Sequence, residues 1–500
     1  MTGRRLYVIT FAMMLSLFLA SIEATVVATA MPTIAAQLGG LEIYAWVFSA
    51  YLLTSTTTIP IFGKLSDIYG RRRLYLLAVV VFMLGSALCG QAQTMPQLIL
   101  FRALQGLGAG GIQPLAFTII GDIFTFEQRA KMQGLFSGVW GLSSLIGPLV
   151  GGFFVDYVSW HWVFYLNVPF GLLGIALMLA AWRDVNPRTG GSVDYLGAAL
   201  LSGGIVALML ALFELRTGLQ TNWRVIGFAL LSALVMLIAL VFVERRAANP
   251  MLPLALFRER LFVSAIGHGF CAGFALFGSA AFVPLFVQAV LGLSATVAGA
   301  TLTPQLFSWT IASIVGTRLL LRYHFRSLAL SGVTMLLLGL TLLTQVSATT
   351  PQWVLAIGMA LTGVGMGLSV PIFLIAVQST VPRPLLGAAT STLQFGRSIG
   401  GAIGTSVLGV VLAVRLAGSL VAAGSDPNQV SVDALLDANA GASGALTDAL
   451  RGALTGAVQT VFVVALVAGV GAWIAAALAP RVQIGTRVPA RVAEKRAPAE

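Results

Sequence analysis

The chain has 500 residues, of which 58% are hydrophobic and only 9% charged, and its net charge is +12. A soluble domain carries about 25% charged residues, so this composition excludes an ordinary soluble fold. A membrane-crossing helix needs roughly 20 apolar residues, and the expected class is an all-α polytopic membrane protein.

Fourteen apolar segments follow one another along the chain: 6–30, 44–62, 74–90, 98–120, 132–154, 160–181, 195–213, 225–243, 262–287, 297–319, 327–343, 353–375, 393–416 and 453–478. The first is too long for a signal peptide and has no clear A-x-A site, so it is expected to remain as a span. Of the 29 Lys and Arg residues, 23 fall at alternate loops and the two tails, while the opposite loops hold only Arg216, Arg224 and Arg451. The positive-inside rule then puts both termini in the cytoplasm, with the protein in the inner (cytoplasmic) membrane. The positive charge is this topological bias and calls for no nucleic-acid partner.

The first half carries most of the unusual residues. Glu23 is the only acid near the middle of a span there, and a carboxylate at such depth marks a proton or ion path. Gly63 to Arg73 is expected to be a compact cytoplasmic loop with one acid, Asp67, and four bases, in which Gly63 and Gly70 permit a tight reversal. Asp67 can pair with Arg71 and Arg72 or sit at a helix N-terminus. Arg102 is the only base buried in the first six spans, and it needs a carboxylate, carbonyls or water nearby. Asp122, near Glu127 and Arg129, is expected to join the Asp67–Arg72 charges in a latch. Gly147-Pro148-Leu149-Val150-Gly151-Gly152 combines small residues that let helices approach with a proline that bends the fifth span. Trp160 and His161 are expected at the outer membrane boundary.

The chain repeats at an offset of about 250 residues. Leu104–Pro114, L-Q-G-L-G-A-G-G-I-Q-P, matches Leu361–Pro371, L-T-G-V-G-M-G-L-S-V-P. Gly134, Ile146, Gly147 and Gly151 map onto Gly387, Ile399, Gly400 and Gly404, and Pro32 recurs loosely as Pro284. Two six-helix halves are thereby equated, a repeat arrangement known from transporters. The expected units are an N-terminal six-helix bundle (1–182), an inserted helix pair with linkers (183–260), a C-terminal bundle (261–479) that includes an outer loop (417–450), and a basic tail (480–500). The second half has no acid inside a span; span 393–416 holds Gln394, Arg397 and Arg415. His268 is expected to be a packed histidine, and Cys89 and Cys271 core residues. Gln113, Trp140, Gln305, Trp309 and Gln394 are candidate cavity residues.

These motifs resemble those of the major facilitator superfamily. Gly63, Leu65, Asp67, Gly70, Arg71, Arg72 and Leu74 match its loop motif. E-A-T-V-V-A-T-A-M-P (Glu23–Pro32) and R-A-L-Q-G-L-G-A-G (Arg102–Gly110) resemble its first- and fourth-helix motifs, with Glu23 replacing Asp. Gly147–Gly152 resembles the fifth-helix antiporter motif, with Ser143 in place of its leading glycine. W-H-W-V-F-Y-L-N-V-P-F-G (Trp160–Gly171) resembles a motif of the 14-helix drug–proton antiporter branch. The resemblance implies a monomeric proton-coupled antiporter that exports hydrophobic or cationic toxic compounds by alternating access. Glu23 and Arg102 would couple protons, and Gly63, Asp67, Gly70, Arg71, Arg72, Asp122, Gly147, Pro148, Gly151 and Gly152 would govern conformational change. The alternatives are a dedicated exporter of one metabolite, lipid, peptide or siderophore, and a non-transporting receptor. No P-loop, H-E-x-x-H, Cys–His cluster or G-x-S-x-G occurs, so no ATP-driven pump, enzyme, metal or cofactor is expected.

Overall fold

The computed structural model describes residues 3–39, 43, 46–182, 194–215, 222–247, 249–252, 254–293, 295–320, 322–422 and 444–481, and among them it is helical with no strand. The helices are α1 (Gly3–Leu38), α2 (Trp46–Tyr69), α3 (Arg71–Cys89), α4 (Met95–Ile123), α5 (Phe126–Tyr157), α6 (His161–Tyr165), α7 (Asn167–Ala181), α8 (Tyr195–Leu215) and α9 (Trp223–Glu244). They continue as α10 (Arg260–Leu285), α11 (Ala295–Leu319), α12 (Phe325–Thr344), α13 (Gln352–Thr380), α14 (Leu386–Ala422) and α15 (Gly444–Leu478). Among the described residues, eleven helices are long and apolar enough to cross a membrane; α2, α5 and α11 have the length but are richer in Ser, Thr and Gln.

Local chemistry sets the ends. The Thr94 side chain accepts from the Gln97 backbone N–H to start α4, and Thr125 with Gln128 forms a reciprocal capping box at α5. Asn222 caps α9 in the same way. The stretch expected as a loop from Gly63 is instead the last two turns of α2. The chain reverses only at Gly70, whose φ of 98° belongs to the left-handed region that glycine tolerates. Gly63 is helical, and it serves close approach rather than a turn.

Glycines bring helix backbones together, and they do so in pairs related by the repeat. A Cβ on Gly110 would lie 2.2 Å from the Ser55 carbonyl of α2, and one on Gly367 would lie 2.3 Å from the Trp309 carbonyl of α11. Gly108 presses on Phe82 of α3 as Gly365 presses on Leu336 of α12. Gly147 and Gly151 meet Thr25 and Val26 of α1, and Gly400 and Gly404 meet Phe270 and Phe274 of α10. The fifth-helix glycines therefore seat α5 on α1 of its own half. The close helix approach expected of these small residues is thus made with α1. α5 is continuous through position 148.

Across the halves, α5 packs on α11 and α2 on α14, while α8 rests on both α2 and α14. Leu201, Ile205, Met209 and Leu212 of α8 share a buried cluster with Ile399 and Ala402 of α14. Trp160 is buried among the helices, and its Nε1–H donates to Gln37 Oε1 at 2.8 Å. The outer segment 417–450 begins and ends as helix, in α14 and α15, and its middle (423–443) lies outside the described residues, as do Arg216 and the basic tail beyond residue 481.

If backbone approach at glycine sets the fold, Gly110→Val should cost about 1–3 kcal/mol of stability, the scale of overpacking, and so lower the melting temperature in detergent. Gly152→Val should melt like the wild type, because nothing lies within 4 Å of a Cβ there. Equal melting of the two variants would overturn the argument.

Candidate functional site

Three groupings of polar residues stand out. The first is a buried charge cluster inside the N-terminal helices. Glu23 of α1 and Arg102 of α4 are each 1% exposed and form an ion pair, with Arg102 Nη1 2.6 Å from Glu23 Oε1. Asn167 Nδ2 of α7 donates to the other carboxylate oxygen at 2.6 Å and contacts Ser86 Oγ of α3 at 2.8 Å. Ser86 in turn donates to the Phe164 carbonyl at 2.8 Å. Arg102 also donates to Gln105 Oε1 at 2.7 Å and to the Val47 carbonyl at 3.4 Å, and its guanidinium carbon lies 4.2 Å from the centre of the Tyr51 ring. A buried charge is tolerated when it is paired and its remaining valences are met, and six helices contribute to the network here.

This cluster is tied mechanically to α5. Ser21 and Thr25, two residues either side of Glu23, both bond to Ser143: Ser21 Oγ to Ser143 Oγ at 2.5 Å, and Thr25 Oγ1 to the Ser143 carbonyl at 3.5 Å. The serine that departs from the glycine of the fifth-helix motif is thus the bonding partner of α1.

The second grouping lies where the halves meet at the end of the bundle that carries the basic residues. Asp67 accepts from the backbone N–H groups of Gly387 (3.0 Å) and Ala388 (2.8 Å), so it caps the N-terminus of α14, where a carboxylate is favoured. Arg71 joins Asp67 (2.7 Å) to Asp122 (2.5 Å) and donates to the Arg383 carbonyl at 3.2 Å. Arg129 donates to the carbonyls of Gly121, Phe124 and Gln378. A Cβ on Gly63 would lie 1.9 Å from Ser391 Oγ, so the halves touch here with no room to spare. Arg72 instead bonds the Leu179 carbonyl at 2.9 Å, inside its own half.

The third is a cavity of about 300 Å³ between the halves, walled by α4, α5, α10, α11, α13 and α14. Gln113, Trp140 and Trp309 line it, as the sequence suggested. Gln305 does not; it is buried and donates to Thr362 at 3.2 Å. Gln394 lines a small adjoining cavity, with its Nε2 unpartnered. Glu23 and Arg102 lie outside both cavities.

Sequence reading missed Asn167 and Gln105 as ligands of the charge pair, although both lie within the quoted motifs. It also missed Arg397, the one charged residue on the cavity wall.

A family model of the Major Facilitator Superfamily matches residues 13–405. The chain is 40% identical over 416 residues to the Multidrug transporter protein MdtP of Bacillus subtilis (strain 168), covering 83% of this chain and 76% of that one. It is also 40% identical to Multidrug resistance protein 3 of the same organism, covering 81% and 79%. Among solved structures, the human organic anion transporter MFSD10 (TETRAN) superposes with a TM-score of 0.63 at 14% identity, covering 94% of this chain and 100% of that one. The proton:xylose symporter XylE superposes with a TM-score of 0.60 at 14% identity, covering 93% and 95%. The chain belongs to the major facilitator superfamily.

If Asp67 holds the halves together, Asp67→Asn should loosen the contact by the worth of charge-assisted hydrogen bonds, about 1.5–3 kcal/mol. A Ser391→Cys thiol, sealed by Gly63, should then react several-fold faster with a soluble maleimide in the Asp67→Asn background. Equal labelling rates would show that the carboxylate is not the latch.

Proposed function

We propose that this chain is a proton-coupled antiporter that exports hydrophobic toxic compounds from the cytoplasm by alternating access, with Glu23 as the coupling acid and Arg102 as its partner. The observation that carries the reading is that Ser21 and Thr25, which flank Glu23 on α1, both hydrogen-bond to Ser143 of α5. Those bonds link the helix that carries a buried proton-accepting group to α5, the helix that presents Trp140 to the cavity. Two relatives of 40% identity bear multidrug names, which supports the substrate class.

On this reading the two six-helix halves (1–182 and 261–479) rock about the cavity, and the inserted pair within 183–260 rides on both. The basic end faces the cytoplasm, all fourteen helical segments cross the inner membrane, and a monomer suffices because the cavity is enclosed by one chain. Proton binding to Glu23 removes its charge and weakens its hold on Arg102. Arg102 keeps Gln105, the Val47 carbonyl and the Tyr51 face as alternative partners. The change in α1 is handed to α5 at Ser143. Export then requires the Asp67 latch to open toward the cytoplasm to admit substrate and to close again before release on the other side. The cavity walls are aromatic and uncharged apart from Arg397, so hydrophobic compounds fit it better than the cationic drugs the family resemblance had also allowed.

The C-terminal half indicates how to separate coupling from folding. In the register of the repeat, Glu23 and Arg102 correspond to Ala275 and Met359, both fully buried. Replacing a buried pair by apolar residues is often neutral, whereas removing one partner costs about 3–5 kcal/mol. Glu23→Ala with Arg102→Met should therefore fold nearly as well as the wild type, while Arg102→Met alone should be much less stable. In proteoliposomes, a hydrophobic fluorescent dye should trigger proton release by the wild type and none by the double variant. Undiminished release by a folded double variant would remove Glu23 as the coupling acid.

A further inference from the structure

Two arginines of the helical core, Arg102 and Arg397, are treated very differently. Arg102 has a carboxylate at 2.6 Å. Arg397 of α14, on the wall of the interhalf cavity, makes no ion pair or hydrogen bond among the described residues. No acid is available to it locally, since residues 261–416 and 451–480 contain neither Asp nor Glu. Its place is fixed by backbone: a Cβ on Gly273 of α10 would lie 2.4 Å from the Arg397 carbonyl.

Beside the main cavity is a smaller one of about 20 Å³, room for about one water-sized group. Arg397 borders both, and the small cavity also touches His268 and Gln394. Gln394 Nε2 and His268 Nε2 are buried with no hydrogen-bond partner. His268 stacks on Phe373 at 4.6 Å, which holds its ring in place. A guanidinium, an amide N–H₂ and an imidazole nitrogen thus converge on one small space, and none of them is hydrogen-bonded among the described residues. Buried polar groups without partners are costly, and Arg397 opens onto the cavity beside them with its charge unpaired. The main cavity next to it is walled by Trp140, Trp309, Phe117, Phe136 and Phe277.

We infer that Arg397, with Gln394 and His268, is the binding site for the anionic head of an amphipathic organic carboxylate whose apolar body lies between Trp140 and Trp309. The carboxylate is the counterion that the fold omits. One oxygen fits the small cavity against Gln394 and His268, and the guanidinium spans its mouth, the geometry in which Arg engages carboxylates best. The same charge repels organic cations from that end of the cavity. The proposal rests on the export reading only in naming this ligand a substrate; binding itself is measured independently of transport.

The test uses dansylglycine, its neutral amide dansylglycinamide, and cationic dansylcadaverine. Each is titrated into the purified full chain in detergent at neutral pH, with energy transfer from tryptophan as the readout. The wild type should bind dansylglycine at least about tenfold more tightly than the amide, the scale of one charge-assisted contact, and the cation most weakly. Arg397→Gln should abolish the preference while leaving amide affinity unchanged, which also shows that the variant is folded. Should Arg397→Gln not fold, Arg397→Lys carries the test: it should keep a reduced anion preference at unchanged amide affinity, because the charge remains and the planar fork is lost. A wild type that binds none of the three, or binds anion and amide alike, overturns the site. So does an anion preference that survives in Arg397→Gln or is undiminished in Arg397→Lys. Loss of dye export in cells alongside an intact Arg397-dependent preference in vitro would count against the export reading and leave the site standing.

Discussion

Backbone contact at glycine is the constraint on which the other features depend. Helices in a bilayer gain little from hiding apolar surface from one another, so close packing and internally met polar groups decide where they sit. The four glycines Gly106, Gly108, Gly110 and Gly111 place α4 against α2 and α3 at once. That puts Arg102, one turn before Gly106, within reach of Glu23, Tyr51 and the Val47 carbonyl. Gly63 and Gly387 do the same for the interhalf latch, where a side chain on either would meet the opposite helix below 3 Å. The charges follow the packing, since each is affordable only where neighbouring helices bring it partners.

The repeat makes the electrostatic asymmetry of the molecule plain. Both halves use the same glycine contacts, α4 on α2 and α13 on α11, α5 on α1 and α14 on α10. Only the N-terminal half fills its interior with a charge pair; the matching positions of the other half are Ala275 and Met359. The C-terminal half instead contributes an arginine with no partner among the described residues, placed on the cavity wall. A closed cluster in which both charges are paired suits a group whose protonation changes. An open, unsatisfied one suits a group that meets a ligand.

Residues whose type alone is costly in a membrane were legible in the sequence: Glu23, Arg102 and the Asp67–Arg71–Asp122 set all occupy polar clusters. What sequence reading lost is whatever depends on helix facing. Gly63–Tyr69 looked like a loop because it is charged, yet Lys64 and Asp67 are buried in helix against the other half. Gly147 and Gly151 were legible as close-contact glycines, but not that the helix they face is α1. Asn167 and Gln105 are uncharged, so nothing in composition marked them, and their role appears only when α7 and α4 converge on Glu23. Arg397 was visible as a charge in a span, but its lack of a partner is a three-dimensional fact.

α14 links the latch to the cavity. Its first residues, Gly387 and Ala388, give their N–H groups to Asp67, and Arg397 follows ten residues later on the same unbroken helix. By the rise per residue the two points are roughly 15 Å apart along the axis. A helix of this length moves nearly as a rod, so a tilt that frees its N-terminus from Asp67 also moves Arg397 relative to Trp140 on α5. Whatever neutralises Arg397 therefore acts on the same body that the latch holds. Occupancy of the cavity and closure of the basic end are then two loads on one lever, with α10 as its support through Gly273, Gly400 and Gly404.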